Sequence, residues 1–155
     1  MGPEPTATTA HVETLGREEI VVVTFASHPF ASRVSVAVEE LADEPFVHYD
    51  PDNGMAVWVD RFAAAHRVSL RPVLRTRSPR TAAQLAGAGM GVTLVPVSAL
   101  AGRPAAVVRR LEPRVHREIV ALTLTPSDAL VRRFVADLRG LGLPEVNTAA
   151  ALPTA

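Results

Sequence analysis

The sequence predicts an α/β protein built on a mainly parallel sheet, and three features carry that expectation. Strand-like and helix-like segments alternate through the middle of the chain. The run Ile20 to Phe25 (IVVVTF) is continuous and β-branched, which suits a strand buried on both faces. Two helices start directly after strands, each behind a capping residue, so their N-termini collect at the carboxyl ends of the strands, where open α/β sheets place ligands.

In chain order, residues 1–16 read as a flexible lead-in, and Ile20–Phe25 is the first firm strand, broken by Ser27-His28-Pro29. Ser35 is placed to N-cap a short helix through Ala42, which Glu44-Pro45 ends. Phe46 to Tyr49 is a short strand. Asp50-Pro51-Asp52-Asn53-Gly54 is turn chemistry that also supplies caps. Met55, Trp58, Val59, Phe62 and Ala65 recur at three and four, marking one face of a helix from Met55 to about Arg67. Leu70 to Thr76 is a strand, and Ser78-Pro79 starts a helix with Ser at the N-cap and Pro at N1. That helix reaches about Ala88 and stops at Gly89. Val92 to Val95 is a buried strand ended by Pro96, and Ser98 to Gly102 makes at most a helical turn. Val107, Val108 and Leu111 form a short strand, and Glu118 to Leu124 a longer one. Thr125-Pro126-Ser127-Asp128 opens a last helix, with Thr125 as N-cap and Leu130, Phe134, Val135 and Leu138 as its apolar face.

Composition bounds the function. The 155 residues leave room for one domain or one and part of another, and 48% apolar against 21% charged residues supports a packed core. Sixteen basic residues, all arginine, balance sixteen acidic ones. This is the pattern of a GC-rich coding sequence, and its zero net charge provides no global field for nucleic acid or an anionic membrane. Cysteine is absent, which excludes disulfides, thiolate metal sites and a cysteine nucleophile. The polar start MGPEPTATTA has neither the basic nor the apolar part of a secretion signal. No apolar run approaches the roughly 20 residues of a membrane span. The expected location is the cytoplasm.

Catalytic chemistry finds no support. There is no G-x-S-x-G elbow, and His11, His28, His48, His66 and His116 fall in five different elements without metal-ligand spacing. Asp50 and Asp52 stand too close together to flank a scissile bond and serve as turn and cap residues. Gly87-Ala88-Gly89-Met90-Gly91 closes a helix and feeds a strand, the reverse of a dinucleotide loop, so it reads as a C-cap and tight turn. Trp58 and Phe62 share a helical face and read as core or interface. The helix starts at Asn53 and Ser78 offer unpaired backbone N–H groups to a small anionic or polar ligand beyond their capping roles. Arg75 and Arg77 flank Thr76 and are placed to clamp a carboxylate, although exposed arginines are common in a chain whose only base is arginine.

The order of motifs over about residues 12–141 resembles the effector-binding (co-inducer) domain of LysR-type transcriptional regulators. The features that carry the resemblance are the hydrophobic strand before Ser27-His28-Pro29-Phe30-Ala31, then Leu41-Ala42-Asp43-Glu44-Pro45-Phe46 leading to a strand and Tyr49. The Gly-rich passage Ala86 to Pro96 and a closing strand and helix ending near Leu141 follow.

The resemblance implies a type 2 periplasmic-binding-protein-like fold of two α/β lobes with ligand in the cleft, represented here by one nearly complete lobe plus part of the other. Residues 27–117 would form the second lobe, residues 17–26 and 118–143 the partial first lobe and crossover strands, and 144–155 a loose tail. Family ligand contacts map onto Asp50, Pro51, Asp52, Asn53 and Gly54, onto Thr76 and Ser78, and onto the crossover strand at Thr24. The helix-turn-helix and the opening half of the first lobe have no counterpart in the chain. The expected function is effector sensing and oligomerisation: a small, carboxylate-bearing molecule is bound without catalysis, metal or cofactor. The expected partners are a second copy or a related regulator, with no direct DNA contact and no membrane. The alternatives are a stand-alone periplasmic-type solute-binding protein and a truncated remnant acting only through dimerisation.

Overall fold

The computed structural model describes residues 10–102, 105–124 and 127–142. Its strands are β1 (His11–Thr24), β2 (Ser35–Ala37), β3 (Pro45–Tyr49), β4 (Arg71–Thr76), β5 (Thr93–Pro96) and β6 (Val107–Thr123). Its α-helices are α1 (Gly54–Ala65), α2 (Pro79–Gly87) and α3 (Ala129–Leu141). Short 3-10 turns occupy Pro29–Ser32, Val38–Asp43 and Val97–Leu100. The chain divides into two compact units: Glu19–His116 forms the larger, and the residues up to Glu18 with those from Arg117 through α3 form the smaller. β1 and β6 each run from one unit into the other.

In the larger unit the strand order is β2-β6-β1-β5, with β3 and β4 paired beside it. Val92, just before β5, bridges Phe46 in parallel. Its carbonyl accepts from the Val47 N–H and its own N–H donates to the Pro45 carbonyl, both at 2.8 Å, which links the two sheets. The β2–β6 and β3–β4 ladders are parallel, whereas β1 and β5 are antiparallel, so the sheet is mixed rather than mainly parallel. Ile20, Val21, Val22 and Val23 are fully buried, as the uninterrupted apolar run requires. Each such side chain contributes about 1.5–3 kcal/mol by leaving water. Phe46, Val47, Tyr49, Val59, Leu94 and Leu111 complete the same core. Trp58 and Phe62 stack at 5.2 Å on α1, with Phe62 buried.

The glycine-rich passage closes α2 and feeds β5, as its C-cap reading requires. Gly89 has φ +90°. Gly91, at φ +144°, lies so close to β3 that a Cβ would collide with the Pro45 carbonyl.

In the smaller unit α3 is capped by Asp128, whose Oδ1 accepts from the Leu130 N–H at 2.8 Å and the Val131 N–H at 3.4 Å. Arg139 pairs with Glu13 at 3.0 Å, and Arg117 with the buried Glu18 at 3.0 Å. Val135 is the one buried apolar residue among this unit's described residues.

Several expectations change. β1 begins at His11, so residues 11–16 extend the strand instead of forming a loose lead-in; residues 1–9 and the tail 144–155 lie outside the described residues. Ser35 caps no helix: it pairs with Arg110 in β2, and a 3-10 turn follows, started by the Ala37 N–H donating to Glu40 Oε2 at 3.0 Å. The short strand expected at Val107–Leu111 and the longer one at Glu118–Leu124 are one 17-residue strand, β6. The last helix takes Asp128 as its N-cap in place of Thr125, which lies outside the described residues.

Candidate ligand-binding site

The larger unit brings most of the expected contact residues together. β3 and β4 run parallel with Tyr49 opposite Thr76, so both chains leave the sheet at the same edge. The next rung is also made, from the Asp50 N–H to the Thr76 carbonyl at 3.0 Å. The turn then closes with the Asn53 N–H donating to the Asp50 carbonyl at 2.9 Å, and α1 starts.

Asn53 caps α1 by accepting the Met55 N–H on Oδ1 at 2.8 Å. Its Nδ2 donates across to the Arg77 carbonyl at 2.5 Å. Arg77 in turn donates from Nε to Asp50 Oδ2 at 3.2 Å. On the β4 side, the Ser78 N–H donates to Thr76 Oγ1 at 3.4 Å, and Ser78 Oγ caps α2 through the Thr81 N–H at 3.5 Å. Pro51, Asp52 and Gly54 are exposed on the turn, and Asn53, Thr76 and Ser78 are half-buried. Two helix N-termini, with their partial positive charge and amides outside the helical ladder, therefore open side by side. An anionic or hydrogen-bond-accepting group is the natural guest of such a place.

Thr24 does not join this group. β1 runs antiparallel to β5, with Ile20 opposite Pro96 and Val23 opposite Thr93. Val92, before Thr93, is level with Phe46 at the start of β3. The strand-end site is therefore level with Ile20, and Thr24 lies at the other end of the sheet. Its side chain is fully buried and its hydroxyl has no partner among the described residues. The expected double clamp by Arg75 and Arg77 also separates. Arg75, within β4, turns to His48, its register partner, and donates to the Tyr49 carbonyl at 2.7 Å, whereas Arg77 follows the end of β4. Arg77 alone joins the turn.

Tyr49 contributes more than its place in a motif suggested: it is fully buried, and its hydroxyl donates to the Leu94 carbonyl at 2.7 Å, tying β3 to β5 beneath the turn. Buried Tyr hydroxyls require such a partner, but which carbonyl supplies it depends on strand order. Among the described residues no group of three or more His, Asp or Glu side chains is arranged to hold a metal.

The family model for the LysR substrate binding domain matches residues 1–141. The transcriptional activator protein LysR of Escherichia coli is 27% identical over 146 residues, 92% of this chain and 46% of that protein. The uncharacterized HTH-type transcriptional regulator YnfL of the same species is 37% identical over 73 residues, 46% of this chain and 25% of that protein. The chain thus spans less than half the length of these relatives. Among solved structures, the Synechocystis CcmR regulatory domain in complex with 2-PG superposes with a TM-score of 0.76 at 18% identity, covering 92% of this chain and 71% of that one. The effector binding domain of QuiR in complex with shikimate gives 0.72 at 17% identity, covering 88% and 66%. These structural matches establish the type 2 periplasmic-binding-protein-like α/β fold.

Proposed function

The chain belongs to the LysR substrate-binding domain family, and from that premise we propose that it senses a small carboxylate-bearing effector at the ends of β3 and β4. In this reading residues 27–117 form the family's second lobe, residues 17–26 and 118–143 part of the first with the crossover strands, and Asp50–Gly54, Thr76 and Ser78 meet the ligand. The observation that carries it is the pairing of two helix starts by the Asp50–Thr76 rung and the Asn53–Arg77–Asp50 bonds. Those amides suit a carboxylate, and shikimate, named with QuiR, is one.

The family is one of ligand-binding domains in transcriptional regulators, not an enzyme family, and the role proposed is binding without turnover or cofactor. No described helix is long and apolar enough to cross a membrane, and we place the protein in the cytoplasm. Direct DNA contact is assigned to other segments of such regulators.

Oligomerisation is the second part of the proposal. In the smaller unit Val12, Val120, Leu122, Leu124, Leu130 and Phe134 are all exposed, out of proportion to Val135, the one buried apolar side chain among its described residues. We assign its cover to a second copy of the chain; a partner regulator is the alternative outcome.

The test of sensing is isothermal titration of the purified chain with shikimate and a series of small aliphatic and aromatic carboxylates. Binding of at least one, weakened by Asn53→Ala and by Ser78→Ala, supports the reading. A flat response across the series from a well-folded sample overturns it.

A further inference from the structure

Beside α1, on the face of β3 that carries His48 rather than Tyr49, lies an open, solvent-facing cavity of about 200 Å³. Its walls include Asp60 and Ala63 of α1, Val68 and Leu70 of the following loop, and Arg75 of β4, with His48 beside them. Its lining shares no residue with the strand-end site.

The polar groups here are held in fixed roles. The His48 side chain is 2% exposed. The Tyr49 N–H donates to its Nδ1 at 2.7 Å, so the neutral ring carries its proton on Nε2 and donates it to Asp60 Oδ1 at 3.0 Å. Both ring nitrogens are thereby engaged, and the imidazole stands between the Asp60 carboxylate and the Arg75 guanidinium. At its other edge Arg75 Nη1 stands 3.5 Å from Nδ1 and donates to the Tyr49 carbonyl. Nη1 is thus anchored, while Nη2 and Nε keep their donors; Asp60 keeps its second oxygen.

We propose that this cavity binds a small aliphatic α-amino acid. The carboxylate sits on the outer edge of the Arg75 guanidinium, which matches its fork geometry. The ammonium sits on Asp60, and the hydrocarbon side chain rests against Ala63, Val68 and Leu70. Two features select this class. The opposite charges flank a single imidazole, a span that a carboxylate and an ammonium on one carbon can bridge. The volume lies below the roughly 300 Å³ at which pockets for drug-sized ligands begin, so it admits a few heavy atoms beyond those two groups.

The experiment is a titration of the ¹⁵N-labelled chain with L-valine, followed by amide shifts, with isobutyrate (no ammonium) and isobutylamine (no carboxylate) as matched probes. L-Valine should saturate with shifts at the Ser69, Leu70 and Arg75 amides, and each half-probe should bind about tenfold more weakly or worse. Arg75→Met and Asp60→Asn should each weaken L-valine by a similar factor, and Ala64→Phe, at an exposed lining position, should abolish binding with the far-UV spectrum unchanged. Absence of shifts up to the solubility limit overturns the proposal. So do shifts confined to Asn53, Gly54 and Ser78, or isobutyrate binding as tightly as L-valine. Shikimate binding at the strand ends is read at those last amides, so either proposal can fail without the other.

Discussion

The backbone N–H of Asp50 donates to the carbonyl of Thr76 at 3.0 Å, extending the β3–β4 ladder one residue past the last paired strand position. That rung fixes the distance between two helix starts. Without it the turn at Asp50–Gly54 and the turn at Thr76–Ser78 would each be free to choose its own exit from the sheet. With it, the caps of α1 and α2 share a border, and Asn53 serves both by capping its own helix and holding the Arg77 carbonyl.

Asn53→Ala removes a helix cap and the cross-turn bond together. Loss of a cap costs about 1 kcal/mol, and the Arg77 tie adds roughly 0.5–1.5 kcal/mol. The expected result is a lower urea midpoint with an unchanged slope, and a ligand affinity that falls with it. Arg77→Ala breaks an ion pair in which the arginine side chain is 82% exposed, so its effect on stability stays within about 0.5 kcal/mol.

Thr24→Val separates the two ends of the sheet. The hydroxyl is buried without a partner among the described residues, and an apolar group of the same shape removes that desolvation cost. Stability should hold or rise by up to about 1 kcal/mol, and affinity for any carboxylate bound at Asn53 and Ser78 should be unchanged. A loss of affinity without loss of stability would put Thr24 back in the site.

The contrast between Thr24 and Asn53 marks what the sequence makes legible. Asn53 and Ser78 announce themselves locally, because a cap is a bond between a side chain and a backbone two or three residues away. The burial of Ile20–Val23 is equally local, being written in an uninterrupted β-branched run. Thr24 depends on the direction in which β1 meets β5, a choice made by a partner some seventy residues away that leaves no trace in the strand's own composition. The start of β1 at His11 is hidden for a related reason: residues 11–17 are half-buried or exposed, with Gly16 among them, and only pairing with distant residues makes them a strand. Val38–Asp43 shows the limit for helices, since acidic residues beside buried Val38 and Leu41 suit a 3-10 turn as well as an α-turn.

Gly91→Ala tests the junction of β5 with β3. The residue has φ +144°, and an added Cβ meets the Pro45 carbonyl, which accepts the Val92 N–H. Relief requires moving a backbone link between the two sheets. The expected loss is about 2 kcal/mol or more, read as a fall in melting temperature. Gly54→Ala, where a Cβ would meet nothing, serves as the control and should change stability by less than about 1 kcal/mol.

Acid should weaken the larger unit partly through Glu19. Arg114 grips its carboxylate with Nε at 2.9 Å and Nη2 at 2.8 Å. This hydrogen bonding holds the carboxyl below its ordinary value of 4.5, aided by the charges of Arg114, Arg110 and His116. A depressed folded-state pKa stabilises fully above the unfolded value and is lost as pH falls through the folded one. Glu19→Gln should therefore be less stable than the parent at neutral pH, with the gap closing as the pH of urea titrations drops below the ordinary carboxylate range. A gap that stays constant across that range would show that the pair acts through packing alone.

The exposed face of the smaller unit yields the last expectation. Along β6 and just past its end, Val120, Leu122 and Leu124 alternate with half-buried residues and are 41%, 68% and 64% exposed, so Val120 and Leu122 line one side of the strand and Leu124 follows it. Leu130 and Phe134 lie one helical turn apart on α3, at 76% and 61% exposed. Since these side chains contribute little to the fold that contains them, Leu122→Lys and Phe134→Arg should each leave monomer stability within about 0.5 kcal/mol of the parent. If a second copy covers them, a charge buried in that contact is strongly unfavourable, and light scattering after size exclusion should show the parent as an oligomer and both variants as monomers. Val73→Lys, at a 55% exposed position on β4 in the other unit, should leave the mass unchanged. A parent that runs as a monomer at all concentrations would remove the self-association proposal and leave a partner regulator as the cover. Equal oligomeric mass in all four proteins would place the contact elsewhere on the chain.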